Sequence, residues 1–236
     1  MKSICGRYGI SVTREELKEY LSENYDIDVL DENIDLPRYN IAPGQNIVSL
    51  INDGTKFRVG LLKWGFIPPW VKEEKSAKTV INVRNETIDE KSTFKKSFYQ
   101  KRCIIIADGF FEWYRTTSTK TPYYFYLKNN KIFGFAGIYT AFKRDNGTTL
   151  YTACIITTKA NTLMQDIHDR MPVILTEDQA KIWLDPSIKD GKILKEILTE
   201  YNPNDMQLHQ VSSRVNKTSN DDEDIIKPFK PDWQDD

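Results

Sequence analysis

Apolar and polar residues alternate at a spacing of two along most of this chain, and short stretches at helical spacing interrupt the alternation. Thr13 with Glu16 makes a capping-box pattern, Val12 and Leu17 are spaced as a hydrophobic staple, and Leu17, Tyr20 and Leu21 share a face. A helix over about 14–23 follows from these. Residues 24–37 are acidic and irregular, and the Pro and Gly of Tyr39-Asn40-Ile41-Ala42-Pro43-Gly44 mark a turn into a strand. Ile47 to Ile51 and Phe57 to Lys63 flank Asn52-Asp53-Gly54-Thr55, a hairpin signal because Asp-Gly tolerates positive φ. Ile81 to Glu86 alternates as a strand would, which places Asn82, Arg84 and Glu86 on one face. Lys91 to Gln100 predicts a helix with Phe94 and Phe98 inward.

Further on, Cys103 to Ala107 reads as a buried strand, Asp108-Gly109 as a turn or bulge, and Phe110 to Tyr114 as a second strand. Tyr123 to Leu127, Ile132 to Tyr139 and Leu150 to Thr158 extend an antiparallel sheet. A short helix is expected over about 161–166, then a strand at Val173 to Leu175. Thr176 with Gln179 caps a helix that stops at Asp185-Pro186, Lys192 to Tyr201 is amphipathic, and Leu208 to Val211 is a short strand. No internal repeat or linker interrupts the 236 residues, so one α+β domain is the expectation.

Composition narrows the function classes. Hydrophobic content of 39%, with twelve Tyr, eleven Phe and five Trp, describes a globular protein richer in aromatics than packing alone needs. No apolar run is long enough for a membrane span and no secretory leader is evident, which predicts a cytoplasmic protein. Cys5, Cys103 and Cys154 show no C-x-x-C spacing, and only His168 and His209 supply imidazole, so neither a disulfide framework nor a metal site is expected. No cofactor is called for. The net charge of −1 is uneven: residues 220–236 hold seven acids against Lys227 and Lys230, leaving 31 Lys and Arg against 27 Asp and Glu before them. The mildly basic body permits a cationic groove. The acidic end reads as a disordered, solubilising tail, or as a competitor for that groove.

Candidate chemistry begins at Cys5-Gly6-Arg7. If residues 1–4 were removed, Cys5 would carry a thiol of ordinary pKa about 8.5 beside an α-amine near about 7.7. That pair traps an aldehyde: the amine condenses to a Schiff base, the thiol adds, and a thiazolidine closes because the second step is intramolecular. The plainer reading makes Cys5 a small buried residue in a first strand. Trp64-Gly65-Phe66-Ile67-Pro68-Pro69-Trp70 is too rich in Pro and aromatics for a central strand, so it reads as an ordered loop, either a core corner or a stacking platform for bases. Glu112, among four aromatics, either points outward or sits in an apolar site where its pKa rises for proton transfer. Cys103 and Cys154, in apolar strands, read as structural, and Asp169 as a partner of Arg170 or a local cap.

Taken in order, Cys-Gly-Arg-Tyr, Tyr-Asn-Ile-Ala-Pro, Trp-Gly-Phe-Ile-Pro-Pro-Trp, Asn-Val-Arg-Asn-Glu-Thr, Ala-Asp-Gly-Phe-Phe-Glu-Trp, Phe-Ala-Gly-Ile-Tyr and Ile-His-Asp-Arg-Met-Pro form a specific series. The chain resembles the SRAP (SOS-response-associated peptidase) family, also described as abasic-site processing or DNA–protein crosslink proteins, from Cys5 to about Asn216. The resemblance implies a curved, barrel-like sheet flanked by short helices, and a protein that binds single-stranded DNA and caps abasic sites through a thiazolidine. It implies Cys5 as nucleophile, Asn82, Glu112 and His168 as the other catalytic residues, and Arg7 and Arg84 as DNA contacts. Asn40, Pro43, Trp64 and Trp70 join the DNA-binding set, with Pro43 as a wedge. The expected partner is abasic single-stranded DNA bound by a monomer, with nucleoid association when bound.

In one respect the chain departs from the family. Members usually carry Cys directly after the initiator Met, whereas Met1-Lys2-Ser3-Ile4 precedes Cys5 here. Autoproteolysis at Ile4–Cys5, in keeping with the peptidase label, would expose the amine; an artefactual start would equally explain the offset. The expected domain is 1–219, with 1–4 removed or disordered and 220–236 disordered. The alternative function is an N-terminal-nucleophile cysteine amidohydrolase, and a third reading is a non-covalent single-strand binder that uses Trp64, Trp70, Arg7 and Arg84.

Overall fold

The computed structural model describes residues 5–230. Its strands are β1 (Tyr8–Ile10), β2 (Arg38–Ile41), β3 (Asn46–Asn52), β4 (Phe57–Trp64), β5 (Asn82–Arg84), β6 (Arg102–Ala107), β7 (Gly109–Arg115), β8 (Lys120–Leu127), β9 (Phe133–Lys143), β10 (Thr149–Lys159), β11 (Arg170–Pro172), β12 (Ile174–Leu175) and β13 (Met206–Gln210). The α-helices are α1 (Arg14–Tyr25), α2 (Ser92–Gln100), α3 (Glu177–Leu184) and α4 (Gly191–Glu196). Both predicted capping boxes form: Thr13 with Glu16 starts α1, and Thr176 with Gln179 starts α3.

Five strands close a ring. β4 pairs antiparallel with β3 through the Asp53 turn, β3 with β6, β6 with β9, and β9 with β10. β10 then returns to β4 in parallel, Thr152 opposite Lys63, which completes a small barrel. β5 also runs parallel to β10, with Asn82 opposite Ile155, and β11 is antiparallel to its far end. The expected α+β, barrel-like and mostly antiparallel architecture is the one observed, and the two parallel pairings are what close the barrel and position β5.

A second sheet, ordered β13-β8-β7-β1-β2, packs on this barrel. Tyr8 of β1 is buried edge-on against Trp64 and Phe135, with ring centroids 5.5 and 5.8 Å away. Asp108, between β6 and β7, accepts from the Ser11 hydroxyl at 2.7 Å and the Val12 N–H at 3.1 Å, and also from the Ser11 N–H. This carboxylate ties the end of β1 to the β6–β7 corner. Gly109 follows it because a Cβ there would lie 2.1 Å from Tyr124 Cζ and Oη. Tyr124 is buried, and its hydroxyl donates to Asp108 Oδ1 at 3.3 Å. Gly109→Ala is therefore expected to lower stability by about 1–3 kcal/mol, the usual range for overpacking, read as a lower urea midpoint at unchanged m-value.

Three expectations need correction. Residues 162–167 form consecutive turns rather than a regular helix, with Asn161 at their start: its Oδ1 accepts from Met164 N at 3.2 Å and its Nδ2 donates to Tyr201 O at 2.8 Å. β5 covers only three residues, so Glu86 leaves the face shared by Asn82 and Arg84 and pairs with Arg170 instead. Residues 220–230 are not a disordered tail. Ile225 is fully buried with Phe111, Trp113, Tyr124, Val211 and Val215, and Asp221 accepts from the Asn40 N–H at 2.8 Å and from Arg38 Nε at 2.7 Å. Ile225, with Ile226 packed beside it, and the Asp221 carboxylate on backbone N–H groups dock a segment whose average composition is polar. Residues 1–4 and 231–236, also expected to be disordered or removed, lie outside the described residues.

Candidate active site

Pleat alternation in β7 sends Phe111 and Trp113 toward the C-terminal segment and Phe110 into the main core, with Glu112 between them. Glu112 is 2% exposed, so of its two sequence readings the buried one holds. Its Oε1 accepts from the backbone N–H of Cys5. Burial pushes the Glu112 carboxyl above its ordinary range, against the opposing pull of His168 and the Cys5 N–H. Cys5 is also buried, with its thiol pushed well up, chiefly by desolvation and then by the Glu112 charge and hydrogen bond. The thiol at rest is thus protonated at neutral pH and needs a base when it attacks. The Cys5 backbone stands at φ 38°, in the left-handed region that side chains disfavour.

Two other elements complete the cluster. β5 presents Asn82, whose Nδ2 lies 3.5 Å from the Cys5 carbonyl oxygen. The turn before β11 presents His168, 8% exposed, whose Nδ1 accepts from Arg170 N at 3.0 Å. In the neutral ring that bond puts the proton on Nε2, a buried atom with no hydrogen-bond partner among the described residues. Asp169 Oδ1 approaches the same Nδ1 at 3.1 Å, so of the two expectations for Asp169 the pairing with Arg170 is not the one formed. Arg170 is buried and forks onto Glu86, with Nη2 2.9 Å from Oε2, and donates to Thr157 O at 2.6 Å. Its charge opposes the upward push on the Cys5 thiol. Sequence reasoning assigned Arg170 no such role, although it stands inside the Ile-His-Asp-Arg-Met-Pro motif.

Chain distance is bridged completely here. Cys5, Asn82, Glu112 and His168 come from four separate segments, and together they offer a thiol, an amide, a carboxyl group and an imidazole. The chain matches the family described as SOS response associated peptidase (SRAP) over residues 4–218. It belongs to the SRAP family. The abasic site processing protein YoqW of Bacillus subtilis (strain 168) is 46% identical over 226 residues, covering 95% of this chain and 99% of that protein. YedK of Escherichia coli (strain K12), also named an abasic site processing protein, is 31% identical over 95% of this chain and 100% of its own length. The abasic site processing protein HMCES of Xenopus tropicalis is 32% identical over 78% of this chain and 64% of that one. Among solved structures, a Bacteroides thetaiotaomicron protein superposes with a TM-score of 0.82 at 29% identity, covering 96% of this chain and all of that one.

The residues expected to meet DNA in this SRAP protein divide into two groups. Arg84 and Pro43 are exposed, and Trp70 is 59% exposed. Arg7 is half-buried, with its guanidinium 5.8 Å from the Trp113 ring and Nη1 donating to Asn40 Oδ1 and Val215 O, both at 2.6 Å. Asn40 and Trp64, by contrast, have no surface to offer a strand. Asn40 is fully buried, and its Nδ2 spans the carbonyls of Val215, Lys217 and Asn220 at 3.3, 3.0 and 2.6 Å. Trp64 is 1% exposed and donates its indole N–H to Ile81 O at 3.0 Å. Asn40 therefore anchors the C-terminal segment and orients Arg7, while Trp64 is the core-corner reading of its loop. A groove of about 790 Å³ beside Trp64 carries Lys63, Lys72, Lys75 and Arg144, but Glu74 pairs with both Lys63 and Arg144, Glu73 and Asp145 add further acid, and none of the four clustered residues lines it. Among the described residues no three His, Cys, Asp or Glu side chains converge as a metal site requires, and no helix is long and apolar enough to cross a membrane.

Proposed function

We propose that this protein senses abasic sites in single-stranded DNA and caps them covalently through Cys5. The observation that carries the reading is the bond from the Cys5 backbone nitrogen to the buried Glu112 carboxyl. If the chain began at Cys5, that nitrogen would be the α-amine, already seated on a proton acceptor whose pKa is raised toward the working range. The names carried by the relatives, abasic site processing proteins, point to the same lesion.

The chemistry follows from the atoms at hand. The ring-opened sugar presents an aldehyde; the Cys5 amine adds to it, and the carbinolamine loses water to give a Schiff base. The Cys5 sulfur then adds to the imine carbon, its proton passing through Glu112 to the nitrogen, and a thiazolidine closes. Glu112 also protonates the sugar oxygen as the ring opens. The His168 Nε2–H, buried and aimed at no protein acceptor among the described residues, suits a phosphate or sugar oxygen of bound DNA. Asn82 holds the Cys5 carbonyl while these bonds change. Exposed Arg84 and half-buried Arg7 take the flanking phosphates, and exposed Trp70 and Pro43 pack against the neighbouring bases.

Unmasking the amine requires cleavage of Ile4–Cys5. The Cys5 thiol attacks the Ile4 carbonyl, the amide nitrogen leaves as the free amine, and water hydrolyses the resulting thioester. The left-handed φ of Cys5 favours this step, because that conformation costs a residue with a side chain about 1–2 kcal/mol and no longer applies once the preceding carbonyl is gone. Intact mass of the purified protein, before and after incubation with an oligonucleotide carrying one abasic site, tests the whole reading. A chain starting at Cys5 that gains the oligonucleotide mass less one water is the expected result. A processed chain that gains nothing would defeat the crosslinking reading and favour an amidohydrolase. A full-length chain that stays full-length would defeat autoproteolysis.

A further inference from the structure

The hairpin of β7 and β8 breaks a local rule next to the site. Arg115 and Lys120 stand directly opposite each other at its end, a like-charge cross-strand pair that works against the hairpin. Lys120 Nζ lies 4.7 Å from the Trp113 ring centroid, and Arg7 approaches the same ring at 5.8 Å. Neither Arg115, Lys120 nor Arg7 makes an ion pair among the described residues. Partial burial and then the charges of Arg115 and Arg7 also lower the Lys120 pKa, against an opposing pull from Glu112. Two cations on one indole, with a third facing one of them across the hairpin and none in an ion pair among the described residues, are a cost to the free protein, and a bound anion would turn it into a gain. Glu112 follows directly before Trp113 on the same strand, so this corner adjoins the site.

We propose that Arg115 and Lys120, with Trp113 as a post and Arg7 on its other contact, form a phosphodiester-binding subsite that holds the strand beside the lesion. The inference rests on the DNA reading above and adds two residues that the motif series does not include. Phosphate groups are the ligand class because Arg115 and Lys120 face each other at the end of the hairpin without a carboxylate, among the described residues, in an ion pair with either, where one phosphodiester charge can sit between them.

The test is equilibrium binding of an undamaged single-stranded oligonucleotide as a function of salt, using the full chain. Arg115→Gln and Lys120→Gln should each weaken binding and reduce the slope of log K against log salt by about 0.7, the value for one phosphate on a single strand. Lys18→Gln, on exposed α1, changes net charge equally and should leave the slope alone. Thermal midpoints of the hairpin variants should stay level or rise, since the opposed charges are removed. Slopes equal to wild type, or equal losses in Lys18→Gln, would overturn the subsite. Because the oligonucleotide is undamaged, this outcome is separate from a failure of crosslinking, which intact mass reads.

Discussion

Replacing Cys5 by Ala should abolish abasic DNA adducts that survive denaturing electrophoresis, without abolishing DNA binding. The expected loss is complete within detection, because a thiazolidine needs sulfur and nitrogen on adjacent carbons and the variant keeps only the nitrogen. The processing step is lost too, since the thiol that attacks Ile4 is the one removed, so Cys5→Ala should also remain full-length by intact mass. A Cys5→Ala chain produced without residues 1–4, so that it begins at the substituted position, separates the two effects. Its free amine, held by Glu112 as the Cys5 nitrogen is, should still form a Schiff base that hydrolyses on denaturation and becomes permanent only after borohydride reduction. Stable adduct from either variant without reductant would mean that another nucleophile carries the chemistry. Cys103 and Cys154 are poor candidates for that, as both thiols are buried in β6 and β10 and pushed up by desolvation.

Much of the scaffold was legible because its signals are local. Thr13 and Thr176 with their partners three residues on specify helix starts that form as drawn, and the Asp53 turn pairs the strands the alternation predicted. What stayed hidden depends on contacts between distant segments. Nothing local in Thr149–Lys159 says that β10 will meet β4 and β5 in parallel, yet that pairing closes the barrel and brings Asn82 to Cys5. Burial of a polar side chain is equally invisible when its partner is far along the chain. Asn40 looked like a DNA contact because it stands in a motif, whereas its amide is consumed by carbonyls some 175 to 180 residues away. The C-terminal segment is hidden for the reverse reason, since averaged polarity conceals the two isoleucines, Ile225 and Ile226, that dock it.

The candidate site shows the same division. Motif order pointed to Cys5, Asn82, Glu112 and His168, but only the structure orients them. Arg170 then emerges as the residue behind two of them, fixing the His168 tautomer through its backbone and facing the Cys5 thiol with its charge. Trp113 stands in a motif, whereas Lys120 carries no sequence signal, because a cation resting on an indole across a hairpin has no spacing signature until the register is known.

Glu112→Gln should slow crosslinking by about 10²- to 10⁴-fold, the range for losing a positioned general acid–base. Gln can keep an acceptor on the Cys5 nitrogen, so DNA affinity should change little while the rate falls; a similar fall in affinity would point to a binding role instead. The pH profile sharpens this. Wild-type crosslinking should change with pH as the raised Glu112 carboxyl titrates, and that limb should vanish in the variant. Stability supplies an independent reading with a defined sign. A carboxyl whose pKa is raised on folding binds more protons folded than unfolded, so its contribution to stability falls as pH rises from the ordinary value, about 4.3, through the raised one. Gln removes that dependence. The variant should therefore gain stability relative to wild type across this window and hold the difference above it, an outcome opposite to the uniform loss expected if Glu112 served only to pin Cys5 in place.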